Sequence, residues 1–244
     1  MAKRIALLPA HGDPFLLNLW LKKNLPRLNW ESDQLRIFVN TVAPQALSDM
    51  RTVLDSTSSL SWMVQDPLEH GDAISKLVEA CSDGDGQAAV VLLENDCFLL
   101  RGGFLNDCFH IVERGKADVV GSGREVANTW LVRKAQEKWH AGTGGDLGTG
   151  LWPTMAVMKL DSLRRAGPNY GAASWKPGER GQEVDSAAPE DTRSDTFYQA
   201  SMKLRGLGLR FHTIPENKYH DLMDNPNSPS WIGRDSIHIG SLSS

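Results

Sequence analysis

Short apolar runs bounded by charge recur along the first half of the chain. Arg4 to Pro9 (RIALLP), Gln34 to Val39 (QLRIFV) and Leu60 to Gln65 (LSWMVQ) each predict a strand. Ala88 to Arg101 (AAVVLLENDCFLLR) predicts a buried strand whose C-terminal end runs out into three polar residues, Glu94, Asn95 and Asp96. Ala117 to Val120 predicts a short fifth strand closing on Gly121-Ser122-Gly123. The intervals between them carry the helical period. An apolar helix follows the turn Ala10-His11-Gly12-Asp13-Pro14 and runs through Leu25. A second opens at Gly71-Asp72 with Ile74, Leu77, Val78 and Cys81 on one stripe, and Ser82 to Gly86 ends it. A third, Phe104 to Arg114, turns Phe104, Cys108, Phe109 and Val112 inward. Strand and helix alternating in this way predict a parallel sheet with right-handed crossovers.

The second half reads differently. Ala141 to Gly150 is glycine-rich, a connection. Leu151 to Leu160 (LWPTMAVMKL) is apolar and extended, and Asp161 to Ala166 is a short helix. Tyr170 to Ser194, rich in Gly, Pro and charge, is too long for a plain connector and is expected to be a lid or binding loop. Asp195 starts a helix with Phe197, Ala200, Ser201 and Leu204 aligned, and Leu209 to Ile214 is a strand. The tail from Pro215 to Ser244 is expected to be loop-like, ending in Ile237-His238-Ile239-Gly240. The pattern divides a single α/β domain into halves, 1–124 and 125–244, with no internal repeat.

Composition narrows the function classes. With 244 residues, 41% of them hydrophobic and 23% charged, the chain can bury a proper core and is not expected to be disordered. A net charge of -4 argues against broad electrostatic capture of nucleic acid, while leaving room for a local basic patch. No run approaches the roughly 20 apolar residues of a spanning helix, and the N-terminus MAKRIALLPAHGD has no signal-like apolar core, so a soluble, cytoplasmic protein is expected. Cys81, Cys97 and Cys108, an odd set without close spacing, read as reduced core thiols.

Candidate chemistry concentrates where the strand of Ala88 to Leu93 ends. Ligands of parallel sheets bind beyond the carboxyl ends of the strands. Glu94 and Asp96 stand two apart, and on an extended backbone they would share one side, where carboxylates can hold a hard divalent cation against a diphosphate. The turn Ala10-His11-Gly12-Asp13 after the first strand is a second ligand-facing candidate, with His70-Gly71-Asp72 analogous on the next crossover; Asp13 and Asp72 read equally well as helix caps. Asp195 is a candidate general base with Asp191 and Glu190 behind it, although Asp at a helix start is also a common cap. The indole faces of Trp152 and Trp175 could stack on a sugar. Arg124, Arg133, Lys134 and Lys138 could embrace a phosphate-rich ligand, or form the solvated face of a helix.

Four segments, in order, resemble the nucleotide-diphospho-sugar glycosyltransferases of the GT-A fold over most of the chain. They are the first strand with its PAHGDP turn, Leu93-Glu94-Asn95-Asp96, LWPTMAVMKLDSLRRAG, and Glu190-Asp191 through Asp195 with the following GLGLRFHTIP. The resemblance implies a Rossmann-like mixed sheet flanked by helices. It implies metal-dependent transfer of a sugar from a nucleoside diphosphate, UDP foremost, to an acceptor hydroxyl. Asp96 would hold Mn2+ or Mg2+, with Glu94 assisting at the metal or a ribose hydroxyl, and the late histidine His238 would complete the metal site. Pro9, Ala10, His11, Asp13, His70, Asp72, Glu94 and Asn95 would line the donor nucleotide, and Trp152 and Trp175 the acceptor. The sequence departs from the family in writing Glu-Asn-Asp for Asp-x-Asp, and in setting Glu190-Asp191 ahead of the helix start. The acceptor would be a saccharide precursor or a hydroxymethylated pyrimidine in DNA, as in phage hypermodification. Two other classes remain open: a sugar-phosphate nucleotidylyltransferase, for which the AHGDP turn lacks the expected Lys or Arg, and a non-catalytic carbohydrate-binding domain on the same scaffold.

Overall fold

A computed structural model describes residues 3–11, 13–28, 35–40, 43–57, 60–64, 68–122, 155–171, 197, 200, 203–204, 206–214, 231–232 and 236–238. The expected strands form with small shifts of boundary: β1 (Arg4–His11), β2 (Leu35–Asn40), β3 (Ser61–Val64), β4 (Ala89–Leu93), β6 (Val119–Ser122), β7 (Met155–Lys159) and β8 (Phe211–Ile214). They make one sheet in the order β3-β2-β1-β4-β7-β6-β8. The left-hand members β3, β2, β1 and β4 run parallel, as the alternating pattern predicts. β7 runs antiparallel to both β4 and β6, and β8 parallel to β6, so the sheet as a whole is mixed.

Helices α1 (Pro14–Leu28), α2 (Pro44–Asp55), α3 (His70–Glu79), α4 (Phe104–Glu113) and α5 (Leu160–Ala166) cover the sheet. Alternation along β1 divides the core: Ala6, Leu8 and Ala10 join one cluster with Leu17, Trp20, Met50 and Phe109. Ile5 and Leu7 join the other, with Ile74, Leu77, Leu163 and Phe197. Burial of each such aliphatic side chain contributes about 2 kcal/mol. Because both faces are covered, β1 and β4 are apolar without alternation, which is why they stand out as runs in the sequence.

Three expectations are corrected. First, α2 was not among the elements expected above; Pro44 opens it, and its buried Met50 and Leu54 pack with Leu47 against the α1 side of the core. Second, the tail is not wholly loop: β9 (Trp231–Ile232) and β10 (Ser236–His238) pair antiparallel, and β10 pairs in turn with β5 (Cys97–Leu99) in a second, three-stranded sheet. Third, the run Ala88 to Arg101 is two strands in two sheets. Between them Glu94 to Cys97 form a turn closed by the Cys97 N–H donating to the Glu94 carbonyl at 3.1 Å. Glu94 and Asp96 therefore do not share one side of an extended strand.

Pro9 is buried inside β1, although proline is usually excluded from central strands. Its position removes the conflict. Pairing of β1 with β4 ends at Leu7↔Leu92, so β1 runs on toward His11 with β2 alone beside it. Among the described residues, no helix is long and apolar enough to cross a membrane.

Candidate active site

The ends of β1, β2 and β4 and the start of α3 meet at one edge of the large sheet. His11 closes β1, Asn40 closes β2, the Glu94–Cys97 turn follows β4, and His70 opens α3. The rings of His11 and His70 stand edge to face, their centroids 4.7 Å apart. Glu94 Oε1 lies 3.5 Å from His70 Nε2, beyond good hydrogen-bond length, and both side chains are largely buried.

Asn40 orients His11. Its Oδ1 accepts from the Leu68 N–H at 2.8 Å, which fixes the amide orientation, since that donor can pair only with oxygen. Its Nδ2 then donates to the Leu68 carbonyl at 2.6 Å and faces His11 Nδ1 at 3.1 Å. A donor facing Nδ1 requires a lone pair there, so neutral His11 carries its proton on Nε2. Burial lowers the pKa of His11, against an opposing pull from the Asp96 carboxylate. Burial drives His70 down further, to about 3, with the neighbouring His11 adding to the shift. Both rings are therefore neutral at pH 7. Their Nε2 atoms are buried and have no hydrogen-bond partner among the described residues. Buried nitrogens in this condition are costly.

The expected site residues fall into three groups. His11, His70, Glu94, Asn95 and Asp96 are brought together. Asn95 is 1% and Asp96 5% exposed, and the Asn95 amide donates to the His11 carbonyl at 3.0 Å, so it braces the end of β1. His238 lies in β10 in register with Cys97, the residue after Asp96, so the pairing of β10 with β5 carries the tail to this turn. A second group is accounted for by the scaffold. Ala10 is fully buried among the core residues, Pro9 is buried beside it, and Asp13 caps α1 by accepting from the Phe15 N–H at 2.7 Å. Asp72 sits in the first turn of α3 and is exposed, where it complements the helix dipole. The third group, Trp152, Trp175, Glu190, Asp191 and Asp195, lies outside the described residues, as do Gly12 and the basic stretch from Arg124 to Lys138.

Sequence reasoning missed Asn40. Its signal was available: it is a polar residue at the C-terminal end of β2, much as Glu94 stands just past the end of β4. Gly71 was expected to open α3 and to belong to a ligand-facing turn with His70 and Asp72. The reason for glycine there is contact: a Cβ at Gly71 would lie 2.2 Å from Gly171 Cα, so α3 could not seat against that segment with any other residue.

A divalent cation can be tested against this donor set. Among the described residues, no three His, Cys, Asp or Glu side chains could enclose a metal. Mg2+ and Mn2+, however, are commonly held by one or two carboxylates together with substrate phosphates and water. Asp96, with the Glu94 carboxylate in the same turn, suits that mode.

No protein-family model and no curated protein matches the chain. Solved structures do. The mannosyltransferase PcManGT from Pyrobaculum calidifontis, in complex with GDP-Man and Mn2+, is 13% identical with a TM-score of 0.56, over 88% of this chain and 55% of that one. S. aureus TarS is 14% identical with a TM-score of 0.52, over 88% of this chain and 35% of that one. The chain thus spans about half, or less, of the proteins it resembles. At this identity the likeness establishes the architecture: the chain has the GT-A nucleotide-diphospho-sugar transferase fold.

Proposed function

We propose that the protein is a metal-dependent glycosyltransferase that moves a sugar from a nucleoside diphosphate to an acceptor hydroxyl. One observation carries this reading: in a GT-A sheet, a buried polar cluster of Asp96, Glu94, His11 and His70 gathers at the carboxyl ends of the parallel strands. The fold's neighbour PcManGT was solved with GDP-Man and Mn2+, which supports a nucleotide sugar and a divalent ion as the classes of ligand. UDP is our first choice of nucleotide.

Asp96 is the residue we assign to Mn2+ or Mg2+, with His238 as a second donor arriving on β10. A bound metal would offset the charge that builds on the departing diphosphate. Glu94, oriented toward His70, suits a ribose hydroxyl, and the His11 Nε2–H is a neutral donor available to the nucleotide. In an inverting transfer, Asp195, Asp191 or Glu190 takes the acceptor's proton as the new bond to the anomeric carbon forms. The bond to the diphosphate breaks in the same step, and its electron pair leaves with the phosphate oxygen. Trp152 and Trp175 are assigned to the acceptor, residues 1–124 to the donor half and 125–244 to the acceptor half. With a net charge of -4, a saccharide acceptor is preferred to a base in DNA.

The test is a panel of UDP-, GDP- and dTDP-sugars with and without Mn2+, read by thermal shift and by slow donor hydrolysis. One donor should raise the unfolding midpoint only with metal present, since ligands of the folded state stabilise it. A protein that no nucleotide sugar stabilises, or one that releases pyrophosphate from a nucleoside triphosphate, would overturn the reading.

A further inference from the structure

Among the described residues the buried polar or charged side chains are Asn24, Asn40, Asn95 and Asp96. Two of the asparagines, Asn24 and Asn95, act alike, each completing strand backbone where a neighbouring strand is absent among the described residues. Asn40 instead ties the Leu68 backbone to His11. The clearer of the two is Asn24. Its Nδ2 donates to the Cys97 carbonyl at 2.8 Å, and its Oδ1 accepts from the Leu99 N–H at 2.9 Å. A strand's carbonyl and the N–H two residues later face the same way, so these are the groups an adjacent strand would engage. β5 is an edge strand with β10 on its other side, and the Asn24 amide stands in for the missing neighbour. Trp20, one turn earlier on α1, adds an indole N–H to the same Cys97 carbonyl at 2.9 Å. Asn95 repeats the device on β1: beyond Leu7↔Leu92 that strand has no β4 partner, and the Asn95 amide supplies a bond to the His11 carbonyl.

Asp96 stands between these two clamps, with the Asn95 side chain tied to β1 before it and the Cys97 carbonyl tied to α1 after it. We infer that Asn24 and Asn95 are positioning residues that hold the Asp96 carboxylate at the ligand edge by acting as surrogate strands. The inference deepens the proposed function and rests on its reading of Asp96 as the metal-holding carboxylate. If the asparagines served only to satisfy buried backbone, their loss would lower stability and leave metal affinity alone.

The experiment compares Asn24→Leu, which removes both bonds at similar volume, with Trp20→Phe, which removes one of two donors to Cys97. The half-saturating Mn2+ concentration for nucleoside-diphosphate binding is followed by tryptophan fluorescence, and exchange of the Leu99 amide by NMR. Asn24→Leu should raise the half-saturating Mn2+ concentration by about tenfold or more, the usual cost of losing an orienting partner, and should open the Leu99 amide to exchange. Trp20→Phe should leave both nearly unchanged. Asn24→Asp keeps the Leu99 bond and loses the Cys97 bond; it should give an intermediate rise, and it carries the test if the leucine variant fails to fold. An exposed Leu99 amide with unaltered Mn2+ dependence overturns the inference. A wild-type protein with no Mn2+-dependent nucleotide binding sinks the functional reading instead. A crystal structure of the Asn24 variant then decides the positional claim, which fails if Asp96 has not moved.

Discussion

The two ends of β1 are built on opposite plans. At its start, the Arg4 guanidinium meets both carboxylate oxygens of Glu113, at 2.6 and 2.8 Å, and Asn106 Oδ1 at 2.6 Å, while lying 5.0 Å from the Phe109 ring centroid. The pair is largely buried, and the guanidinium holds the Glu113 carboxyl below its ordinary pKa. At its end, His11 is gripped by Asn40 and Asn95, yet its Nε2 and that of His70 are buried with no hydrogen-bond partner among the described residues. A single strand thus runs from a satisfied polar cluster to a frustrated one. Satisfied polar groups favour stability, whereas buried groups without partners cost it. On the function proposed above, the lower edge is structural and the upper edge receives the ligand.

The comparison breaks most visibly at Asp96. Asp96→Asn should cut donor hydrolysis and transfer by roughly a hundredfold or more, the scale of one electrostatic stabiliser, without lowering the unfolding midpoint. Activity within about tenfold of wild type would move the site elsewhere. At the opposite end, Arg4→Met should leave donor affinity unchanged and cost about 2 kcal/mol in denaturant unfolding, because it takes the main partner from a largely buried Glu113 and leaves it with His110. Next comes His70→Leu, which removes one buried unpartnered nitrogen. It should leave stability unchanged or raise it by up to about 1 kcal/mol, while donor titration gives a weaker dissociation constant. Lost stability with intact binding would make the upper edge structural too.

The two edges also differ in pH dependence. His70, whose folded pKa is about 3 against an ordinary 6.5, takes up protons more readily when unfolded. Its contribution is fully present above pH 6.5 and drains away as pH falls toward 3. Glu113 is depressed by Arg4 from an ordinary 4.5, so its contribution is lost only as pH falls below that value. Acid titration of stability should therefore weaken the upper edge first. His70→Leu should flatten the profile from pH 6.5 down toward 3, and Arg4→Met only the part below 4.5.

Much of this was legible in the chain. β1 and β4 announce themselves because strands covered on both faces are apolar runs, β2 because Arg36 alone interrupts its apolar run before Asn40, and α3 and α4 because each buries one stripe. Glu94-Asn95-Asp96 was legible as polarity at a strand end, hence at the ligand edge. α2 left a stripe, Leu47, Met50 and Leu54, that the same periodicity argument could have used. Pairing of β10 with β5 left no such trace. Two- and three-residue strands carry no period, and their partners are far apart in the chain.

The sequence by itself determined the sheet's parallel half, its flanking helices and the acidic strand end, because burial on a periodic backbone writes a periodic pattern of side chains. Tertiary structure alone decided what Asn24, Asn40 and Asn95 are for, and which histidine faces which. A hydrogen-bonding deficit at a strand edge belongs to the backbone of one segment and is met by a side chain from another. No local pattern in either segment records it.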